Sequence, residues 1–205
     1  MRTFAHERLT TLASAASVPV LNALTDQEHP CQALADLLTI KDHFGAFEGV
    51  RLAFIGPANN VTNSLILAAA SVGMSLVVGC PEGSEPSEAI LSEAARISAT
   101  EIEVVNGAPS AVLGADVVYA DTWASMGDGT TPEEAAQRCA AFQVNETLME
   151  QVSERAIFMH CLPAHRGSEV TSEVLDGPRS VVWQQAENRL HVQKALLRWM
   201  MREAH

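Results

Sequence analysis

Short apolar runs alternate with longer, partly polar stretches along most of this chain, and this alternation constrains the fold more than any other feature. Strands of a parallel sheet are buried on both faces and read as nearly continuous apolar runs. Runs separated by helix-length stretches therefore predict an α/β fold with a doubly wound parallel sheet. The predicted strands are residues 51–55, 75–78, 102–105, 116–120 and 156–159, and the predicted helices between them are residues 62–72, 87–98, 108–113, 133–140 and 145–153.

Further elements are predicted on either side of this alternation. A helix at residues 4–16, a strand-like stretch at residues 18–21 and a helix at residues 29–43 precede it, and a long helix at residues 185–202 follows it. The first segment is typical of the tail end of a second α/β domain. We therefore expect three parts: the end of that second domain with a linking helix at residues 1–40, a Rossmann-like domain at residues 41–188, and a terminal helix at residues 189–205 that packs back toward the first part.

Composition excludes several classes of partner. The 205 residues carry a formal net charge of −12, so a nucleic acid or an anionic membrane surface is not an expected partner. No apolar run approaches the ~20 residues that a membrane-spanning helix needs, and the N-terminus lacks the apolar core of a signal peptide. Cys31, Cys80, Cys139 and Cys161 are far apart, which predicts reduced thiols in a cytoplasmic protein rather than a disulfide framework or a zinc site.

Polar residues follow three of the predicted strands. These loops are residues 56–60, 121–127 and 160–167. Parallel sheets bind ligands at the carboxyl ends of their strands, so we expect the three loops to converge on one site.

The loop at residues 56–60 has more than one interpretation. A glycine-rich turn after a first strand can bind a dinucleotide, as in a nucleotide-dependent oxidoreductase, but G-x-G-x-x-G is absent and Pro57 follows Gly56. Asn59 and Asn60 could cap the next helix, or one of them could face a ligand.

The other polar residues also have alternatives. Asp121 could simply close a turn or could bind an ammonium group, and Trp123 could belong to the core. Cys161 and His165 could form a nucleophile–base pair, although Pro163 stiffens the loop between them. Outside these loops, His29 could cap a helix or bind an anion at its N-terminus, and Arg189 could form only a surface ion pair.

Four motifs together make the chain recognisable. They are His-Pro-Cys-Gln at residues 29–32, Asp-Thr-Trp-Ala-Ser-Met-Gly at residues 121–127, His-Cys-Leu-Pro-Ala-His-Arg-Gly at residues 160–167 and Ala-Glu-Asn-Arg at residues 186–189. In this order and spacing, and over essentially the whole chain, the sequence resembles the transcarbamoylase family and, within it, the branch that carbamoylates ornithine.

The resemblance implies a reaction and a set of site residues. Family members transfer the carbamoyl group of carbamoyl phosphate to the side-chain amine of L-ornithine, need no metal or organic cofactor, and form homotrimers. The expected residues for carbamoyl phosphate are Arg2, His29, Pro30, Cys31, Gln32, Cys161, Leu162 and Arg189. Those for ornithine are Asn59 or Asn60, Asp121, Ser125 and Met126, and the expected catalytic residues are Asp121, Cys161, His29 and Arg189. A non-catalytic paralogue that binds an amino acid is the alternative.

Two departures from the family pattern stand out. Gly56-Pro57-Ala58 replaces a common Gly-Asp-Gly turn, which removes a carboxylate and a backbone donor near the expected ornithine site. The family's phosphate-binding Ser-x-Arg-Thr-Arg loop lies far upstream of the His-Pro-Cys-Gln motif, so we expect most of the carbamoyl-phosphate domain to be missing and activity to be low.

The turn within the third loop supports one conformational prediction. The turn must direct both Cys161 and the Leu162 carbonyl inward. We therefore predict a cis Leu162–Pro163 peptide, which costs only about 0.5–1 kcal/mol before proline.

Overall fold

A parallel five-stranded sheet forms the centre of the computed structural model, which describes residues 1–124 and 131–203. All strand pairs are parallel, and the strand order is β3-β2-β1-β4-β5. This order confirms the doubly wound α/β prediction. The strands are β1 (Arg51–Ile55), β2 (Ser75–Gly79), β3 (Ile102–Val105), β4 (Val117–Ala120) and β5 (Ile157–His160).

Helices connect the strands and flank the sheet. They are α1 (His6–Ala15), α2 (Pro30–Phe44), α3 (Asn60–Val72), α4 (Glu88–Ile97), α5 (Ala108–Val112), α6 (Pro132–Cys139), α7 (Glu146–Met149), α8 (Ser172–Leu175) and α9 (Val182–Glu203). The helix predicted at residues 145–153 is shorter than expected, and α8 was not predicted. None of the helices in residues 1–124 and 131–203 is long and apolar enough to cross a membrane.

The two faces of the sheet bury two separate cores. Along β1, Leu52 and Phe54 point into one core, and Ala53 and Ile55 point into the other. All four side chains are at most 1 % exposed. Burial on both faces explains why the strand reads as an uninterrupted apolar run.

The strand-like prediction at residues 18–21 is wrong. The extended pairing lies three residues further along, where Leu24 forms a parallel bridge with Arg2. The Thr3 backbone N–H donates to the Leu24 carbonyl over 3.0 Å. Pro19 has no backbone N–H to donate to a strand neighbour, which disfavours a ladder at the predicted place. The bridge fixes Arg2 close to the body of the protein.

The terminal helix α9 packs along α2. The Asn188 amide donates to the Thr39 hydroxyl over 3.0 Å, and a second hydrogen bond reaches Asp42. The expected boundary between residues 188 and 189 falls inside this continuous helix. The division into residues 1–40, 41–188 and 189–205 stays a prediction.

Asp116 ties together the ends at which β1, β4 and β5 begin. Its carboxylate accepts hydrogen bonds from the Arg51 backbone N–H, the Ser153 hydroxyl and the Arg155 guanidinium. Burial alone would raise the pKa of Asp116, but these hydrogen bonds and the Arg155 charge lower it below its usual value. The ionised form therefore stabilises the fold.

We expect Asp116→Asn to lower the free energy of unfolding at neutral pH by roughly 1.5–3 kcal/mol, the scale of a lost charge-assisted hydrogen bond. Because its pKa is lowered in the folded state, the Asp116 carboxyl group stabilises the fold at pH values above its unfolded-state pKa. The difference in unfolding free energy between the unchanged protein and the variant should therefore disappear as the pH falls through the folded-state pKa. Urea unfolding of both proteins between neutral and acidic pH measures this. Asp176→Asn, which breaks only the exposed pair with Arg166, is the control and should change little. A difference that persists unchanged in acid would contradict the assignment.

Candidate active site

The loops after β1, β4 and β5 converge on an open cleft of about 880 Å³. The cleft lies at the point between β1 and β4 where the strand order reverses, which is the usual ligand site of a doubly wound sheet. The start of α2 and one turn of α9 form its opposite wall. Eight of the expected site residues line the cleft: Arg2, His29, Asn59, Asn60, Asp121, Cys161, Leu162 and Arg189.

Three of the expected site residues that the structure describes, Pro30, Cys31 and Gln32, are not among those that line the cleft. Pro30 is the first residue of α2, and the Cys31 thiol donates to the Asn22 carbonyl behind the cleft wall. Gln32 is completely buried one turn into α2. Ser125 and Met126 lie outside the described residues.

The two asparagines after β1 have different structural roles. Asn59 is the N-cap of α3: its Oδ1 accepts from the backbone N–H groups of Val61 and Thr62, and the Thr62 hydroxyl completes a capping box. Its Nδ2 donates to Asp121 over 2.7 Å. Asn60 instead donates to the Thr25 carbonyl and thereby connects α3 to the segment before α2.

Asp121 and Cys161 form a hydrogen-bonded pair across β4 and β5. The Cys161 Sγ donates to Asp121 Oδ1 over 2.9 Å, and the Thr122 backbone N–H donates to the same oxygen. Burial and the neighbouring Asp121 carboxylate raise the pKa of the Cys161 thiol well above its usual value. A protonated thiol is a poor nucleophile, so the nucleophile–base alternative for Cys161 and His165 is disfavoured.

The same thiol argument bears on metal binding. Asp121, His160 and Cys161 offer three potential ligand atoms within 4.8 Å of one another. Metals take thiolate and a free imidazole nitrogen, whereas the Cys161 thiol donates to Asp121 and His160 Nδ1 accepts from the Leu162 backbone N–H. A metal bound to the Cys161 sulfur and His160 Nδ1 would have to displace the thiol proton and the hydrogen bond from Leu162.

The turn after β5 has the predicted unusual backbone. The Leu162–Pro163 peptide is cis, which confirms the prediction. Leu162 itself adopts a positive φ of 58°, in the left-handed region that a leucine rarely occupies. Leu162, Pro163 and His165 line the cleft.

His29 and Arg189 face each other on the opposite wall. His29 Nε2 lies 3.3 Å from an Arg189 guanidinium nitrogen, and the same nitrogen donates to Gln32 Oε1. Burial, followed by the charges of Arg189 and Arg2, lowers the pKa of His29 to about 4. The imidazole is therefore neutral at physiological pH, and since arginine only donates, Nε2 accepts here.

A buried polar network behind this wall was not anticipated from the sequence. The completely buried Asp36 carboxylate accepts hydrogen bonds from Gln32 Nε2, Gln185 Nε2 and the Tyr119 hydroxyl. Gln185 Oε1 in turn accepts from the His160 backbone N–H. Asp36 follows Gln32 by four residues, which places both side chains on one face of a helix. This spacing is the sequence feature from which their contact could have been predicted.

Two other features of the cleft became apparent only in the structure. Trp123 is 6 % exposed and packs with Ala135 and Cys139 of α6. The interpretation of Trp123 as a core residue is therefore correct. Pro57 lines the cleft, and the next residue donates its backbone N–H to the Ser84 carbonyl in the loop after β2.

Comparisons with known families agree with the geometry. The sequence matches the family described as "Aspartate/ornithine carbamoyltransferase, Asp/Orn binding domain" over residues 48–200. Residues 1–42 match "Aspartate/ornithine carbamoyltransferase, carbamoyl-P binding domain".

Curated relatives include the ornithine carbamoyltransferases of Methanothermobacter thermautotrophicus and Anoxybacillus flavithermus. The first is 52% identical over 204 residues, which cover 98% of this chain and 67% of the relative. The second is 53% identical over 200 residues, which cover 96% of this chain and 64% of the relative. This chain thus spans about two thirds of the length of these relatives.

Solved structures show the same likeness. The ornithine carbamoyltransferase of Pyrococcus furiosus matches with a TM-score of 0.92 at 47% identity, over 96% of this chain and 64% of that one. The anabolic ornithine carbamoyltransferase of Campylobacter jejuni matches with a TM-score of 0.92 at 35% identity, over 99% of this chain and 68% of that one. From motif, site geometry and these likenesses together, the chain belongs to the aspartate/ornithine carbamoyltransferase family.

Proposed function

We propose that the protein takes part in the transfer of a carbamoyl group from carbamoyl phosphate to the side-chain amine of L-ornithine, giving L-citrulline and phosphate. The observation that carries this proposal is the pairing of Asp121 with Cys161 on one wall of the cleft, opposite His29 and Arg189 on the other. One wall suits an amino acid, and the other suits a small anion.

The amino-acid wall offers complementary charges to ornithine. The Asp121 carboxylate would take the α-ammonium group, and by the family resemblance Ser125 and Met126 would complete the site. Each asparagine amide already donates once, Asn59 to Asp121 and Asn60 to the Thr25 carbonyl, and Asn60 is the better candidate for the substrate carboxylate because its partner is not a carboxylate. A substrate carboxylate at Asn59 would also be repelled by Asp121.

The opposite wall suits carbamoyl phosphate. Arg189 and Arg2 would hold the anion, and Gln32, which is buried behind the wall, would position Arg189 by accepting from its guanidinium through Oε1. His29 would donate to the carbamoyl oxygen as a neutral imidazole, with Nε2 taking the proton once the oxygen replaces Arg189 as its partner. Donors held at that oxygen stabilise the negative charge that develops as the amine attacks.

The reaction itself needs the attacking amine in its neutral form. An alkyl ammonium has a pKa near ~10, so the side-chain nitrogen must lose a proton on binding or during attack. Exclusion of water from the cleft favours the neutral amine. The amine nitrogen then bonds to the carbamoyl carbon, the bond from that carbon to the phosphate oxygen breaks, and one amine proton leaves with the phosphate as hydrogen phosphate. Cys161 and the Leu162 carbonyl would orient the reacting groups, and no covalent intermediate with the protein forms.

The long helix α9 supports the expectation that further structure covers this half of the molecule. Trp183, Leu190, Leu197 and Met201 recur along one side of the helix, and each is more than half exposed. Apolar patches of this kind usually mark contact surfaces. We propose that the remainder of the carbamoyl-phosphate domain packs here and that the complete protein forms homotrimers.

We also propose a cytoplasmic location, which is supported by the four free cysteines.

We expect Asp121→Asn to weaken L-ornithine binding by about tenfold to a hundredfold, because one charge-assisted hydrogen bond is worth roughly 1.5–3 kcal/mol. Binding of carbamoyl phosphate should change much less. Titration calorimetry with each substrate measures both effects, on a version extended upstream by the family's carbamoyl-phosphate domain. Asp176→Asn, on the exposed ion pair, is the matched control. Equal losses for both substrates would argue against the ammonium assignment.

We expect His29 to stay neutral down to about pH 4. Arg189→Gln should raise its pKa part of the way to the ordinary value, because burial, the larger cause, remains. Arg198→Gln, further along α9, should not. Imidazole carbon shifts in an NMR titration report the midpoint. Because the unfolded chain takes up this proton at higher pH, acidification toward pH 4 should also favour unfolding. A midpoint near 6.5 in the native protein would contradict the neutral-donor role.

We expect the 205-residue chain alone to form little or no citrulline. Carbamoyl phosphate is nearly a dianion, and a dry site must hold it with several fixed donors. Loss of even one such donor typically costs about 10²–10³ in rate. Citrulline assays of this chain and of the upstream-extended version make the comparison. Equal rates would refute the need for further donors, and ornithine binding without turnover in the extended version would favour the non-catalytic alternative.

A further inference from the structure

Leu162 is held in an unfavourable backbone conformation at the edge of the cleft. It is the one non-glycine residue with positive φ in residues 1–124 and 131–203. Conformations of this kind persist only when surrounding contacts impose them, and they are concentrated at functional sites. The contacts that impose it here come from residues to which the proposed reaction assigns no role.

The first contact is with the side chain of His160, two residues earlier. His160 Nδ1 accepts a hydrogen bond from the Leu162 backbone N–H over 2.9 Å. An accepting Nδ1 carries no proton, which assigns the proton of the neutral ring to Nε2. The ring is 1 % exposed and does not line the cleft.

The second contact orients the ring. His160 Nε2 lies 3.4 Å from Oε1 of Glu169, a long contact that is mainly electrostatic and favours the proton on Nε2. The same Glu169 oxygen accepts from the backbone N–H of His165. Burial alone would raise the pKa of Glu169, but the contact with His160 and the backbone hydrogen bond from His165 lower it. One buried carboxylate thus holds both ends of the loop that contains Leu162.

We propose that Glu169 and His160 are positioning residues of the active site. Glu169 fixes the tautomer and the plane of the His160 imidazole, and the imidazole holds the Leu162 backbone so that its carbonyl faces the carbamoyl group. The role of that carbonyl rests on the proposed function. His160 is not a proton relay to Cys161, because its two nitrogens face Leu162 and Glu169 while the thiol donates to Asp121.

The first test needs no catalysis and uses the 205-residue chain. Nitrogen-15 NMR should show a scalar coupling between the Leu162 amide nitrogen and His160 Nδ1 across the hydrogen bond. The ring nitrogens should show an unprotonated Nδ1 and a protonated Nε2. A proton on Nδ1, or an absent coupling in a folded protein, would overturn the proposal.

The second test uses the upstream-extended, active version and separates positioning from proton relay. Asparagine can place its Oδ1 where His160 has Nδ1, whereas phenylalanine keeps the ring and loses the acceptor. We expect His160→Phe to lower kcat by about 10²-fold, the scale of a 1 Å misplacement, and His160→Asn to recover about tenfold or more of that loss. KM for ornithine should change little in either variant.

Equal loss in the two variants would overturn the positioning role and favour a relay. If His160→Phe does not fold, Glu169→Gln replaces it: a mixture of ring tautomers and a lower kcat at unchanged KM support the proposal, and an unchanged tautomer with unchanged kcat overturns it. If the wild-type extended protein makes no citrulline, the proposed function fails, whereas the NMR coupling still decides whether His160 holds Leu162.

Discussion

The arrangement of the cleft depends on the buried carboxylate of Asp36. It accepts from Gln32 one turn earlier in α2, from Tyr119 in β4 and from Gln185 in α9. Burial raises the pKa of Asp36 to about 7, and the three hydrogen bonds oppose that rise. A buried carboxyl group is costly unless its partners are in place, so the network holds α2, β4 and α9 in one relative position. Gln185 extends it to β5 through the His160 backbone.

The chemistry of the cleft follows from that relative position. Because α2 and α9 are held together, Arg189 reaches both His29 and Gln32, although about 160 residues separate them along the chain. The neighbouring guanidinium adds to burial in keeping the imidazole neutral. The carboxylate of Asp121, in contrast, is surrounded by donors from Asn59, Thr122 and the Cys161 thiol. The two walls therefore differ in charge.

Much of the fold could be predicted because its causes are local. The apolar runs and helix-length stretches predicted all five strands and the sheet class. The error at residues 18–21 arose because long-range pairing determines where a strand forms. The composition of these residues is typical of a strand, but the bridge forms between Leu24 and Arg2. The four-residue helix α8 has a Thr171 N-cap but too short an apolar pattern for periodicity to detect.

For the site, the sequence by itself determined which residue types are available and at which strand ends they lie. The order of motifs, the cis peptide and eight residues of the cleft wall could all be predicted from it. Only the tertiary structure decided how those residues are used. In the structure, Asn59 caps α3 and donates to Asp121, and Gln32 is buried behind the cleft wall. Asp36 and Glu169 lie next to the residues that they orient. The physical reason is that hydrogen-bond partners and burial are properties of three-dimensional neighbours, and these neighbours are 83 residues apart for Asp36 and Tyr119 and 149 for Asp36 and Gln185.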